Sequence, residues 1–325
     1  MKVISLFSGA GGFDLGFVRA GHTIVWANDN FPEAIETYRL NIGNHIDPRD
    51  IQDIPSKEIP AAEILIGGFP CQGFSVANWN RTKGDPRNFL YKEMVRVLRD
   101  KRPKFFLAEN VKGLASMEKG EVLRTILRDF SRAGYAARHQ ILNAADYGVP
   151  QMRMRLLIAG VRSDLDVELS FPPSPTHAEP EKAAFLGLEP WVTVGQALNH
   201  FPEPGNGSGI PNHEHSKYKL TFNGHLGHRA IDPSKPAPTV TARGDEKGGV
   251  VVLHHPGNRR RMTARELAAV QSFPDNFVFC GPKTSAYRQI ANAVPPKLAE
   301  ALGKMFRKAE AQLARKLRRP RLKIA

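Results

Sequence analysis

The chain has 325 residues, 41% hydrophobic and 24% charged, an ordinary composition for a folded protein able to bury a sizeable core. Its net charge of +14 favours a polyanionic partner, although a net +8 of that falls after Gly303, where nine Lys/Arg meet the single Glu310. No stretch approaches the length of a membrane span, Met1-Lys2-Val3 leads straight into a strand-like segment, and two cysteines make no disulfide framework, so a reduced, cytoplasmic setting is expected.

Val3–Phe7 reads as a strand feeding Ser8-Gly9-Ala10-Gly11-Gly12, with a helix expected from Phe13. Strand, glycine loop and helix open a nucleotide-binding fold, but the dinucleotide fingerprint asks for a glycine where Asp14 stands. A ligand without a pyrophosphate fits that departure. Thr23–Ala27 reads as the second strand and ends in Asn28-Asp29-Asn30. Asp29 follows Gly9 by 20 residues, the spacing at which an acid holds ribose hydroxyls, and it is equally an N-cap for a helix over Pro32–Asn41.

Asp50-Ile51 precedes a short apolar strand, Ile64-Leu65-Ile66, which ends in Gly67-Gly68-Phe69-Pro70-Cys71-Gln72-Gly73-Phe74-Ser75. Ligands of open α/β sheets gather at the carboxyl ends of strands, so Cys71 is either a reactive thiol over that crevice or a small buried hydrophobe. The stretch from Val76 to Asn88 is polar and aperiodic, a long loop next to the cysteine that includes Arg87. A helix to Lys101 is followed by the strand Lys104–Ala108 and the triplet Glu109-Asn110-Val111, which places Glu109 at a second strand end. A helix over Glu121–Ala133 and strand-like runs at Ala137–Asn143 and Arg155–Val161 extend the sheet. Strand alternation puts Gln151, Arg153 and Arg155 on one face.

The composition shifts after Asp166 to proline-rich and then Gly/His/Asn-rich sequence, and seven of the eleven histidines lie between His200 and His255. His213-Glu214-His215 lacks further ligands at zinc-type spacing, so no metal is expected. The expected division is a large domain over 1–165, a smaller domain over 170–262, and C-terminal helices over 263–325 that return to the large domain and end in a basic tail.

The order of these blocks resembles the DNA (cytosine-5)-methyltransferases of bacterial restriction–modification systems over nearly the whole chain outside 165–235. Phe7–Gly12 is similar to the family's S-adenosylmethionine loop, Asp29 to its ribose acid, and Asp50 with Ile51 to the pair that meets adenine. Pro70-Cys71-Gln72 resembles the nucleophile motif, Glu109-Asn110-Val111 the glutamate motif, and Gln151–Arg155 the Gln-x-Arg-x-Arg motif. Pro238–Arg243 resembles the block closing the recognition region, and Gln289–Pro296 the last motif. Two positions depart: Asn30 stands where many relatives carry an aromatic that stacks on adenine, leaving that role to Phe31 or to nothing, and Ala291 replaces a glycine.

The resemblance implies a Rossmann-like α/β methyltransferase domain with a smaller, irregular, β-containing target-recognition domain. It implies transfer of a methyl group from S-adenosylmethionine to C5 of a flipped-out cytosine in double-stranded DNA, through a covalent Cys71–C6 bond. Cys71, Glu109, Arg153 and Arg155 are the implied catalytic set, with Arg153 supporting Arg155. Phe7, Gly9, Gly11, Gly12, Asp29, Asp50, Ile51, Pro70, Asn292 and Val294 are expected around the cofactor. Ser75, Arg87, Gln151, Arg229 and Arg243 are expected on DNA. The expected partners are DNA and a cognate endonuclease acting on the same site, with the protein itself a monomer. A silent DNA-binding regulator on the same fold has no use for an intact Cys71, Glu109 and Arg155. A transfer-RNA methyltransferase is set aside because the Cys-Phe-Thr block of those relatives is absent, and a nucleotide-dependent oxidoreductase because the third glycine is missing.

Overall fold

A computed structural model gives the fold, and it describes residues 1–70, 90–205, 209–217, 220–222, 229–241, 252–257 and 259–318. Seven strands form one sheet: β1 Lys2–Leu6, β2 Thr23–Asn28, β3 Ile46–Asp47, β4 Ile64–Gly67, β5 Phe105–Val111, β6 Tyr135–Asn143 and β7 Met154–Arg162, in the spatial order β3-β2-β1-β4-β5-β7-β6. β1 to β5 pair in parallel, and β7 enters antiparallel between β5 and β6.

The strands read as continuous apolar runs because both faces are covered. Alternate residues go to opposite sides. Val3, Ile64, Ile66, Phe105 and Leu107 pack with Phe17 of α1 (Gly12–Arg19) and with Leu302 and Phe306 of α9 (Pro296–Arg318). Ile4, Leu6, Leu65 and Phe106 pack with Met94 and Val97 of α3 (Leu90–Lys101) and with Leu123, Ile126 and Phe130 of α4 (Glu121–Arg132). The helix α2 (Pro32–Asn41) begins on Pro32 at its first turn, where a missing N–H costs nothing.

β5 runs three residues beyond Ala108, so Glu109, Asn110 and Val111 are in the strand rather than after it. β7 begins at Met154, so Gln151 and Arg153 precede it and the expected alternation over 151–155 does not hold.

Described residues between 170 and 262 supply the two-residue strands β8 His177–Ala178 and β9 Glu189–Pro190 and the short helices α5 Pro180–Leu186 and α6 Val194–Leu198. Val194 and Leu198 of α6, with Ile231, Ala237 and Val240, join a third cluster with α7 (Ala264–Val270) and α8 (Lys283–Asn292), built on Met262, Leu267, Phe273, Phe277 and Ile290. α7 starts on a capping box between Thr263 and Glu266, the signal its sequence carries. His213, considered as a metal ligand, is buried, with its ring nitrogens 3.0 Å from Thr263 Oγ1 and 2.7 Å from the Pro202 carbonyl.

Candidate active site

The carboxyl ends of β1, β2, β4 and β5 open on a cavity of about 900 Å³, closed on its far side by Thr239–Thr241 and by the end of α8 with the residues after it. That volume is near the upper end for small-molecule sites.

Its floor is the turn after β1. Phe7 takes a left-handed conformation (φ 55°), rare for a bulky residue, and turns the chain out of the strand. The Ser8 N–H donates to the Asn28 carbonyl (3.0 Å), and the Gly9 N–H donates to the Asp29 carboxylate (2.8 Å). The other Asp29 oxygen accepts the Phe31 N–H at 2.9 Å. Withdrawal from solvent raises the Asp29 pKa against these backbone donors. With the Asn30 N–H as a third donor, the carboxylate keeps acceptor capacity for one external hydroxyl. The Asn28 amide donates to the Asp47 and Arg49 carbonyls (3.0 and 2.8 Å), which brings the next turn alongside. There Asp50 caps Gln52 N–H at 3.0 Å with one oxygen and accepts the Asn30 amide at 3.2 Å with the other.

The β5 end of the cavity is built by strand register. Val111 lies opposite Arg155 and Glu109 opposite Leu157 in the antiparallel β5–β7 pair. Glu109 and Arg155 are therefore diagonal neighbours on one face, within reach of long side chains. They meet as an ion pair, Arg155 Nε to Glu109 Oε1 at 2.8 Å, with both side chains about nine-tenths buried. Burial lowers the Arg155 pKa from its ordinary value, opposed by the Glu109 charge. Gly68 leaves room for this pair, since a Cβ there would stand 3.3 Å from Glu109 Oε2. The Asn110 amide donates to the Phe69 carbonyl at 3.0 Å and so anchors the chain two residues before Cys71.

Phe7, Gly9, Asp29, Asp50, Ile51, Pro70, Asn292, Val294, Glu109 and Arg155 all line the cavity. Gly11 and Gly12 do not: added side chains there would strike Tyr38 and Ile42, or Val294 and Phe273, so these glycines allow close packing behind the loop. Arg153, expected to support Arg155, does not line the cavity either. It is fully buried and donates to the carbonyls of Val240 (2.9 Å), Ala291 (2.7 Å) and Ala293 (3.0 Å), which positions two walls of the site. Gln151 is buried at 0% exposure, accepting from Val240 N–H (2.9 Å) and donating to Gln271 (2.8 Å), which leaves it no surface to present to DNA. Arg229 is exposed. Cys71, Gln72, Ser75, Arg87 and Arg243 lie outside the described residues.

Sequence reasoning missed Asn28 and Gln271, whose roles are contacts between distant segments, and Arg288, which lines the cavity beside Phe31. Arg288 directly precedes the recognised last motif, but nothing in its residue type distinguishes it from a surface arginine.

Residues 1–308 match the model of the C-5 cytosine-specific DNA methylases. The chain belongs to this family. The methylase is 40% identical to the Type II methyltransferase M.NgoFVII of Neisseria gonorrhoeae, with 93% of this chain and 85% of that one covered. It is 35% identical to the Type II methyltransferase M.MthTI of Methanothermobacter thermautotrophicus, covering 95% and 97%. Among solved structures it resembles a prophage-encoded DNA modification methyltransferase of E. coli, with a TM-score of 0.75 and 27% identity over 96% of this chain and 99% of that one. The S. pombe Dnmt2 methyltransferase shares the fold (TM-score 0.63, 20% identity, 98% and 100% covered). The methylase is thus a DNA cytosine-C5 methyltransferase that uses S-adenosylmethionine. No helix among the described residues is long and apolar enough to cross a membrane.

The residues fit that cofactor. Asp29 and Asp50 are acceptors for the hydroxyl and amino donors of an adenosine, the Phe7–Gly9 turn closes the floor, and no pyrophosphate-binding third glycine is needed. Bound there, S-adenosylmethionine supplies an electrophilic methyl group on a sulfonium centre.

Proposed function

We propose that this methylase acts on cytosine flipped out of duplex DNA through a transient bond between Cys71 and C6, as the modification enzyme of a restriction–modification system. The observation that carries the mechanism is the buried Glu109–Arg155 pair at the cavity wall, beside the Gly68–Pro70 approach to Cys71. Cytosine C5 is a weak nucleophile. Addition of the Cys71 thiolate to C6 moves an electron pair through the ring toward N3 and makes C5 enamine-like. Glu109 shares a proton with N3 as that charge grows, and Arg155, with Nη1 on the Met154 carbonyl (2.9 Å), holds Glu109 in place through Nε. Loss of the C5 proton to water or another base then expels Cys71 as thiolate. Arg153 supports this by fixing the Val240 and Ala291–Ala293 backbone.

Residues 170–262 are read as the target-recognition domain, with Arg229 and Arg243 as DNA contacts, and Ser75 and Arg87 as contacts from the segment after the nucleophile. The methylated sequence is set there. The role beside a cognate endonuclease is supported by the Type II names of the relatives, and a cytoplasmic monomer is the simplest form consistent with it.

The test is Cys71→Ala, with bisulfite sequencing of plasmid from expressing cells. We expect methylation and covalent trapping on 5-fluorocytosine DNA to disappear while S-adenosylhomocysteine still binds. Appreciable methylation by the alanine variant would remove Cys71 from the nucleophile role.

A further inference from the structure

Gln271, the residue that ends α7, does not line the cavity, yet its side chain is fully buried behind it. The last turn of a helix leaves carbonyls that no later turn can satisfy. In α8 the Ala293 N–H returns to the Gln289 carbonyl (3.1 Å) and Arg153 donates to that of Ala291 (2.7 Å). The Ile290 carbonyl accepts the Gln271 amide at 2.6 Å. From this capped turn the chain leaves α8 through Asn292, Ala293 and Val294, all three on the cavity wall. The oxygen of the same Gln271 amide faces another segment. It accepts from Gln151 Nε2 at 2.8 Å, and Gln151 Oε1 accepts the Val240 N–H at 2.9 Å. Val240 stands between Thr239 and Thr241 on a second stretch of the wall. Two amides therefore run in line from the Ile290 carbonyl to the Val240 N–H, both withdrawn from water, where a lost partner leaves a polar group unsatisfied.

We propose that Gln271 is a positioning residue for methyl transfer, which fixes the Thr239–Thr241 stretch relative to the Asn292–Val294 stretch by spanning them through Gln151. The inference rests on the reading of this cavity as the place where S-adenosylmethionine and the flipped cytosine meet. Transfer between two bound groups requires near-contact geometry, and a misplacement of about 1 Å costs on the order of 10²-fold in rate. The contacts that each group makes with its own part of the wall survive such a shift. Arg153 joins the same two stretches directly, from the Val240 carbonyl to those of Ala291 and Ala293. Removing the Gln271 amide thus loosens their spacing without releasing either one.

The test uses the full chain and a duplex carrying the sequence mapped by bisulfite sequencing. Gln271→Met keeps the bulk of the side chain and removes both ends of the amide, and Gln151→Met breaks the same line one link further on. The single-turnover rate, counted per site able to form the covalent complex on 5-fluorocytosine DNA, is expected to fall about 10- to 100-fold in either variant. Calorimetric affinity for S-adenosylhomocysteine, and affinity for the duplex, should stay within about threefold of wild type. The double variant should be little slower than the slower single one, since both substitutions cut one line. A rate per competent site equal to wild type in both variants would overturn the proposal and leave Gln271 a structural role, read as a lower midpoint in denaturant alone. A loss carried by weaker S-adenosylhomocysteine or DNA binding would overturn it as well. So would additive losses in the double variant, which would show the two amides acting separately. Wild-type protein that forms no covalent complex on 5-fluorocytosine DNA overturns the underlying reading and the proposal with it, and is told apart by failing before any substitution is made.

Discussion

Asp14 lies just past the glycine loop, fully buried, with the Ser5 hydroxyl donating to one carboxylate oxygen at 2.9 Å and the Tyr38 hydroxyl to the other at 3.3 Å. Tyr38 in turn stands 3.0 Å from His45 Nε2. Burial pushes the Asp14 pKa up to about 7 from 3.8, more than the Ser5 and Tyr38 hydrogen bonds lower it, and the Asp29 charge adds to the rise. Between those two values the folded protein holds a proton that the unfolded chain has released, so stability contributed here falls as pH climbs from about 4 to about 7, then levels. Asp14→Asn removes the titration and keeps the hydrogen-bonding shape. Thermal midpoints measured from pH 5 to 8 should show wild type losing ground to the asparagine variant up to about pH 7. Parallel profiles for the two proteins would show that Asp14 does not titrate in this range.

At the scale of elements, the site depends on how closely α1 approaches α9. A Cβ on Gly16 would stand 2.5 Å from the Pro296 carbonyl oxygen and against Ala299, so the two helices meet backbone to backbone. α1 leaves the cofactor loop directly, and α9 follows the Asn292–Val294 wall, so their spacing sets the width of the cavity. Gly16→Val should cost about 1–3 kcal/mol from overpacking, read as a lower midpoint in denaturant. S-adenosylhomocysteine affinity should fall with it, because the Phe7–Gly12 turn moves with the helix. Unchanged stability in this variant would mean that the helices separate freely. The β5–β7 pair matters in the same way, since only an antiparallel β7 carries Arg155 back to Glu109.

Across the whole molecule, charge and reading are separate matters. Lys316 pairs with Asp166 at 2.7 Å, so the end of α9 is already tied to the body of the protein. The segment 319–325 adds three further basic residues and no aromatic. Deleting it should flatten the salt dependence of DNA binding by at most about 0.9 in log–log slope per lost phosphate contact, with the methylated sequence unaltered. A changed sequence preference would show that the tail reads bases. Arg229, an exposed residue, is the opposite case. If it makes a bidentate contact to guanine, Arg229→Ala relaxes selectivity at one position, visible by bisulfite mapping, at about 1–3 kcal/mol of discrimination. A uniform loss on all sequences would assign Arg229 to phosphate.

The sequence by itself determined the α/β class, the main strands and helices, and most of the cavity wall. Each of those rests on local chemistry: apolar runs for strands buried on both faces, glycines where the loop turns, a capping box at Thr263, an acid just past the end of β2. The family followed from the order of its motifs. Tertiary structure decided the rest, because the deciding quantities are distances between residues far apart in the chain. Gln151 and Arg153 sit in a motif beside Arg155, yet only Arg155 reaches the cavity, since the strand starts at Met154 and the two earlier side chains turn to Val240, Gln271 and Ala291. Gly11 and Gly12 belong to the cofactor loop in sequence and to the packing behind it in space. Arg288 is unremarkable until α8 carries it over Phe31, 257 positions away in the chain. Local propensity encodes which element forms; which side chain faces a ligand depends on register and on the packing of distant segments, and neither is written at any single position.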